Sequence, residues 1–249
     1  TIDNDYAILG YQEFDDIWHG SYMKEVRRKM LAGERVKACH RCYEHEEKGL
    51  QSSRQWANET FSTESYDPVF DPTLLELRLG NVCNLKCSGC WAVSSDQLYN
   101  ERKRMLSEQS IPGWLARSWQ HELDSVDKFD YNWFNTPMFD KFIDRVAPNL
   151  QRLYLTGGEP TLIQKNREIL DKLVEVGNKD CYVCWTTNLT NWPEEFYDKL
   201  DFFHESEIQM SIDGFETSNS YIRYPTNWKS VEKNFAKAQQ LPELSLIHI

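Results

Sequence analysis
The stretch Cys83-Asn84-Leu85-Lys86-Cys87-Ser88-Gly89-Cys90 decides how this chain is read. It spaces three thiols C-x3-C-x2-C directly after the run Leu74 to Leu79, in which Leu75, Leu77 and Leu79 alternate with Glu76 and Arg78 as in a strand. Thiolates this close in sequence, on a loop able to wrap round one object, suit a soft metal centre better than a disulfide pair. Three ligands also leave one iron of a cubane iron–sulfur cluster open to a substrate or cofactor.

Downstream of the loop, Ser94 to about Met105 reads as a helix. The segment from Leu106 to Thr136 then carries Trp114, Trp119 and Trp133 among polar residues, and core packing is the expectation for these rings over a substrate channel. From Pro137 strands and helices alternate. Phe139, Phe142, Ile143 and Val146 mark a helix, Leu150 to Thr156 a strand, and Ile169, Leu170, Leu173 and Val176 a helix ended near Gly177. Tyr182 to Thr187 is the next strand, Asn191 to Leu200 a helix, and Glu207 to Ile212 a strand. Trp228 to Ala238 is a helix, and Leu244 to Ile249 a fifth strand. Such alternation implies an α/β fold with parallel strands, and by itself allows either a partial barrel or an open doubly wound sheet.

In parallel α/β folds ligands gather beyond the carboxyl ends of the strands. The residues found there are Cys83, Cys87 and Cys90 after the first strand and Thr156, Gly157, Gly158, Glu159 and Pro160 after the second. Thr187 and Asn188 follow the third, and Ser211 and Asp213 the fourth. Adjacent glycines allow a ligand close to the backbone, and Glu159 offers a carboxylate to an ammonium group. Asn188, Ser211 and Asp213 read equally as turn and helix-cap residues. Arg223 is suited to a carboxylate, its alternative being a surface arginine. Cys181 and Cys184 read as buried structural thiols.

The N-terminal part reads differently. Phe14, Trp18, Tyr22, Val26 and Met30 recur every four residues, predicting one helix stopped at Gly33. Cys39 and Cys42 follow with C-x2-C spacing, which serves a metal, a redox dithiol or a turn, and His40 and His45 keep zinc open. Residues 57–73, with Pro68 and Pro72, read as a linker. The chain begins at Thr1 and ends on LSLIHI, a strand-like run, and so reads as a fragment cut at both ends.

With 249 residues and 40% hydrophobic content the chain can bury a large core. The 28 basic against 39 acidic residues, net charge −11, argue against nucleic acid or an anionic membrane as general partners. No apolar run of about 18 residues and no signal pattern is present, so the expected location is the cytoplasm. Seven cysteines in short motifs fit metal ligands in a reducing compartment.

The cysteine loop followed by Gly157-Gly158-Glu159-Pro160 resembles the radical S-adenosylmethionine (SAM) enzymes over roughly residues 74–249. The resemblance implies a partial (βα) barrel, incomplete here. It implies a [4Fe–4S] cluster on Cys83, Cys87 and Cys90 that cleaves SAM reductively to a 5′-deoxyadenosyl radical, which takes hydrogen from substrate. The amino group of SAM would lie on the GGEP turn, and its ribose or carboxylate near Asn188, Ser211, Asp213 and Arg223. The family's aromatic residue before the third cysteine is here Gly89, and Trp91 takes its place as the candidate cover for cluster or adenine. Trp18 to Arg54 is similar to part of the SPASM or twitch extension of such enzymes, with Cys39 and Cys42 as candidate ligands of an auxiliary iron–sulfur cluster, ahead of zinc. The implied organisation is a SPASM/twitch-like segment at 1–56, a linker at 57–73 and the radical SAM core at 74–249. The implied partners are a peptide or protein substrate and an electron donor such as flavodoxin or ferredoxin. A small-molecule or carbohydrate substrate is the first alternative, and a non-catalytic zinc- or iron-binding module the second.

Overall fold
The computed structural model of the chain describes residues 11–61, 71–241 and 244–248. The described chain divides into two compact units, before and after the Asp71–Pro72 junction.

The N-terminal unit is helical: α1 (Phe14–Trp18), α2 (Ser21–Leu31), α3 (His40–Glu47) and α4 (Ser53–Thr60). The single helix expected from the four-residue apolar spacing is instead α1 and α2, broken at His19 and Gly20. A Cβ on Gly20 would stand 2.2 Å from the Asp16 carbonyl oxygen, so this tight break needs a glycine. Arg27 closes the break by donating to the Trp18 carbonyl at 2.7 Å, with its guanidinium 4.5 Å from the Trp18 ring centroid. Gly33 does end α2, at φ +71°, with Gly33 N–H bonded to Met30 O and Glu34 N–H to Lys29 O in a Schellman turn. Helix α4 starts with a capping box between Ser52 and Gln55, and Ser52 and Arg54 both donate to Glu46 of α3. The expected linker at 57–73 thus begins as the last turn of α4, and most of its remainder lies outside the described residues.

The second unit is built on five parallel strands: β1 (Leu74–Arg78), β2 (Arg152–Thr156), β3 (Tyr182–Thr187), β4 (Ser206–Met210) and β5 (Leu244–His248). They lie side by side in chain order. A doubly wound sheet reverses its order at a switch point, and this one does not. Right-handed crossovers that all step the same way put every helix on one face, as in a barrel wall.

Strand alternation gives the two faces opposite chemistry. Leu75, Leu77, Leu153, Leu155, Val183, Trp185, Ile208 and Met210 are buried. This apolar set meets the helices α7 (Pro137–Val146), α8 (Gln164–Glu175), α9 (Glu194–Tyr197) and α11 (Trp228–Ala238), which bury Phe139, Phe142, Ile169, Leu173, Phe196 and Val231. Trp185, wholly buried, sits edge-on to Phe196 at 4.9 Å. The other face is polar. Tyr154 Oη is 2.6 Å from Thr186 Oγ1 and donates to Gln209 Oε1 at 3.1 Å, and Tyr182 Oη donates to Glu207 Oε2 at 2.6 Å.

Several local expectations change. Between β1 and β2 stand two helices before α7, namely α5 (Asp96–Ser107) and α6 (Gly113–Asp127). Of the three tryptophans expected in the core, Trp114 is 66% exposed, whereas Trp119 and Trp133 are half-buried. On α6 it is Leu123 and Val126 that are buried, with Ala92, leaving Trp114 on the helix's outer side. The helix expected at 191–200 is only α9, which starts after Pro193, and a 3-10 turn at Leu200–Phe202, the two joined through a turn at Asp198 and Lys199. Helix α10 (Thr217–Ile222) had no sequence signal in a polar stretch. Cys181 and Cys184 are buried as expected.

Leu153 has no exposed surface. Leu153→Ala should therefore cost about 2–5 kcal/mol, read as a lowered urea midpoint, and a change under about 1 kcal/mol would contradict the assigned core.

Candidate functional site
At the carboxyl ends of β1 to β4 lies a cavity of ≈ 430 Å³. Cys83, Cys87 and Cys90 line one side, and Thr156, Gly157, Gly158 and Glu159 another. Asn188, Ser211, Asp213 and Arg223 complete the wall. Nearly the whole set expected after the strands is thus brought together, with Pro160 the exception. Pro160 is buried, and its carbonyl accepts a hydrogen bond from Asn166 at 3.0 Å.

The cysteine loop is held by its backbone. Leu85 is buried beneath it, and the Leu85 carbonyl accepts from Ser95 Oγ at 2.8 Å. Cys83 N–H donates to Asp96 Oδ1 at 2.9 Å, where Asp96 opens α5. Lys86 N–H donates to Tyr224 O at 2.6 Å and Ser88 N–H to Ile222 O at 2.8 Å, tying the loop to the end of α10. These bonds leave the three thiols facing the cavity without any disulfide. Burial pushes the Cys83 thiol up to about 12 and raises Cys87 also, the latter opposed by the Arg223 guanidinium. Without a metal both are thiols, and a metal would deprotonate them on binding.

Gly157 and Gly158 serve the chain itself. Gly157 sits at φ +90°, and a Cβ on Gly158 would lie 2.2 Å from the Val82 carbonyl oxygen. The diglycine lets the turn after β2 press against the lead-in to the cysteine loop, where Glu159 N–H donates to Val82 O at 2.8 Å. The close approach read from the sequence as room for a ligand is, at Gly158, occupied by the protein's own backbone.

The Glu159 carboxylate is turned inward. It is 1% exposed and accepts from Thr187 Oγ1 at 2.7 Å, Asn188 N–H at 2.8 Å and Thr161 Oγ1 at 2.8 Å. Burial raises its pKa against the pull of these donors. Asn188 likewise has a local role: its amide donates to Asn84 Oδ1 at 2.9 Å and its Oδ1 accepts from Thr190 N–H at 3.0 Å. Arg223 Nε forms an ion pair with Asp213 Oδ2 at 2.8 Å, and its Nη1 lies 4.0 Å from Cys87 Sγ. Trp91 is 65% exposed at the cavity wall, while the space beside Gly89, where the family carries an aromatic ring, is open.

Four further residues at the site carried no motif, namely Asp96, Arg78, which lines the cavity, and Arg102 with Glu122, described below, while Asn84, inside the cysteine loop, meets Asn188. Asp96 had a sequence signal, since Ser95 and Asp96 before a helical run mark a helix start.

Three thiols that line one cavity with polar side chains and a guanidinium close by suit a cubane cluster with an open iron. Among the described residues no three His, Cys, Asp or Glu side chains converge where a single ion could sit. In the N-terminal unit, Cys39 closes a 3-10 turn and Cys42 lies in the first turn of α3, both half-buried.

A one-directional parallel sheet that gathers these groups beyond its strand ends defines a cofactor-binding α/β enzyme domain of the barrel type. The chain belongs to the Radical SAM superfamily, whose family model matches residues 77–243, from within β1 to beyond α11. Membership implies a [4Fe–4S] cluster, SAM and radical SAM chemistry. A search of curated proteins finds no match. No helix among the described residues is long and apolar enough to cross a membrane.

Glu159→Gln turns an amide N–H₂ towards either the Asn188 N–H or the threonine hydroxyls. Stability of the metal-free protein should fall by about 1–3 kcal/mol, measured by denaturant titration. Unchanged stability would mean that the carboxylate is not needed to join β2 to β3.

Proposed function
We propose that Cys83, Cys87 and Cys90 hold the [4Fe–4S] cluster of a radical SAM enzyme that modifies a peptide or protein. The observation that carries this reading is the shared cavity: three unbridged thiols stand with the diglycine turn, Ser211, Asp213 and Arg223 round one space. When bound, the cluster and SAM supply an electron, methionine and a 5′-deoxyadenosyl radical that takes a hydrogen atom from substrate. The chain's own part is to hold and orient. Its diglycine turn would present backbone groups to the amino group of SAM, and Ser211 and Asp213 would accept from its ribose hydroxyls. Arg223, paired with Asp213 at 2.8 Å, would offer its guanidinium to the SAM carboxylate. Trp91, exposed at the cavity wall, is the candidate cover for cluster or adenine.

The polar sheet face supports a hydrogen-bonding substrate. Thr156 and Thr186 line the cavity, and the row continues through Tyr154, Gln209, Glu207 and Tyr182 along the same face. A peptide offers amide donors and acceptors to such a row. In the N-terminal unit we read a SPASM/twitch-like segment in which Cys39 and Cys42 contribute to an auxiliary cluster. Seven free cysteines support a reducing cytoplasmic setting, with a flavodoxin or ferredoxin as electron donor.

The test is anaerobic reconstitution with iron and sulfide, followed by assay of 5′-deoxyadenosine under dithionite. The native chain should form it, and a Cys83, Cys87 and Cys90 triple alanine variant should not. Iron left in that variant and removed by further change of Cys39 and Cys42 would locate the auxiliary cluster. Zinc without iron would contradict the proposal.

A further inference from the structure
Helices α5 and α6 meet over the cysteine loop through an ion pair between Arg102 and Glu122, whose side chains are only 12% and 14% exposed. The pair is tied to the loop at two points. Arg102 Nη2 donates to the Cys90 carbonyl at 3.2 Å, and Glu122 Oε1 accepts from the Ala92 N–H, two residues on. Trp119, from α6, lies over the guanidinium at 5.1 Å and shields it from water. The Arg102 Nε–H is buried and meets no acceptor. Burying such a pair is costly, and a hydrophobic contact of the same volume would hold the two helices together at least as well. The other polar link between α5 and α6, Tyr99 Oη to Asp127 Oδ1, is exposed, whereas this buried pair sits beside a candidate ligand, where its charges act on whatever the loop holds.

We infer that Arg102 and Glu122 are positioning residues for the cluster, fixing Cys90 through its carbonyl and setting the local charge against which the cluster is reduced. The inference rests on the cluster reading above. Reduction adds a negative charge beside the loop. In a poorly solvated setting a guanidinium favours that charge and a carboxylate opposes it. Groups outside the ligands themselves tune metal sites in this manner and change affinity when removed. The two members of the pair therefore act on the potential with opposite sign, although they act on the fold together.

That sign difference is the test. The full chain is reconstituted as the native protein, R102M, E122Q and the double variant, and the cluster potential is followed by redox titration with electron paramagnetic resonance. E122Q keeps an oxygen for the Ala92 N–H and should raise the potential. R102M should lower it and, having lost the bond to Cys90, should release iron to a chelator about tenfold faster. The double variant should return towards the native potential. Potentials that do not move, or that move in the same direction in both single variants, would overturn the inference while leaving the cluster reading intact. Should R102M fail to fold, judged by thermal unfolding of the metal-free chain, E122Q decides alone: a rise supports the inference, and no change or a fall overturns it. A native chain that takes up no iron would overturn the cluster reading and this inference with it.

Discussion
The buried carboxylate of Glu159 fixes the carboxyl-terminal edge of the sheet. Through Thr187 and Asn188 it joins the end of β2 to the end of β3, while the backbone N–H of the same residue donates to Val82 O, just before Cys83. Asn188 carries the same connection on to Asn84 inside the cysteine loop. A group that is costly to bury is retained where it satisfies several backbone and hydroxyl donors at once, because removing it would orphan them all. The cavity thus has its shape before any cofactor arrives, and a preorganised wall spares binding the cost of ordering it.

Around that edge the protein supplies charge in two forms. Arg223 stands beside the Cys87 sulfur and is held by Asp213, while Arg102 stands behind the Cys90 carbonyl and is held by Glu122. Cys83 has no such cation, and burial acts on it unopposed by any guanidinium. The loop therefore offers three chemically similar ligands in three different electrostatic settings. An iron–sulfur centre responds to such differences, since its potential depends on net charge, hydrogen bonds and exposure.

The sequence made the strands, their ligand-bearing ends and most of the cavity wall legible, because a two-residue alternation and short motifs are local signals. What it could not show was which partner each polar residue takes. Gly158 makes room for Val82 rather than for a ligand alone, and Asn188 holds Asn84. Arg102 and Glu122 lie 20 positions apart on separate helices, with nothing in either neighbourhood to link them. The barrel-type winding was legible only through the motif resemblance, since strand order is not written in alternation, and the chain-order sheet agrees with it. The break between α1 and α2 leaves no trace in the sequence pattern, because the four-residue apolar repeat persists across Gly20, whose tight backbone contact with Asp16 is invisible in a periodicity.

The claim that the three-cysteine loop carries a cluster open to SAM is tested most directly by electron paramagnetic resonance of the reduced, reconstituted chain before and after SAM is added. In a variant lacking Cys39 and Cys42, so that only the loop can contribute, the account predicts the signal of a reduced [4Fe–4S] cluster whose shape changes on SAM addition. A signal that is absent, or that is indifferent to SAM, would contradict it.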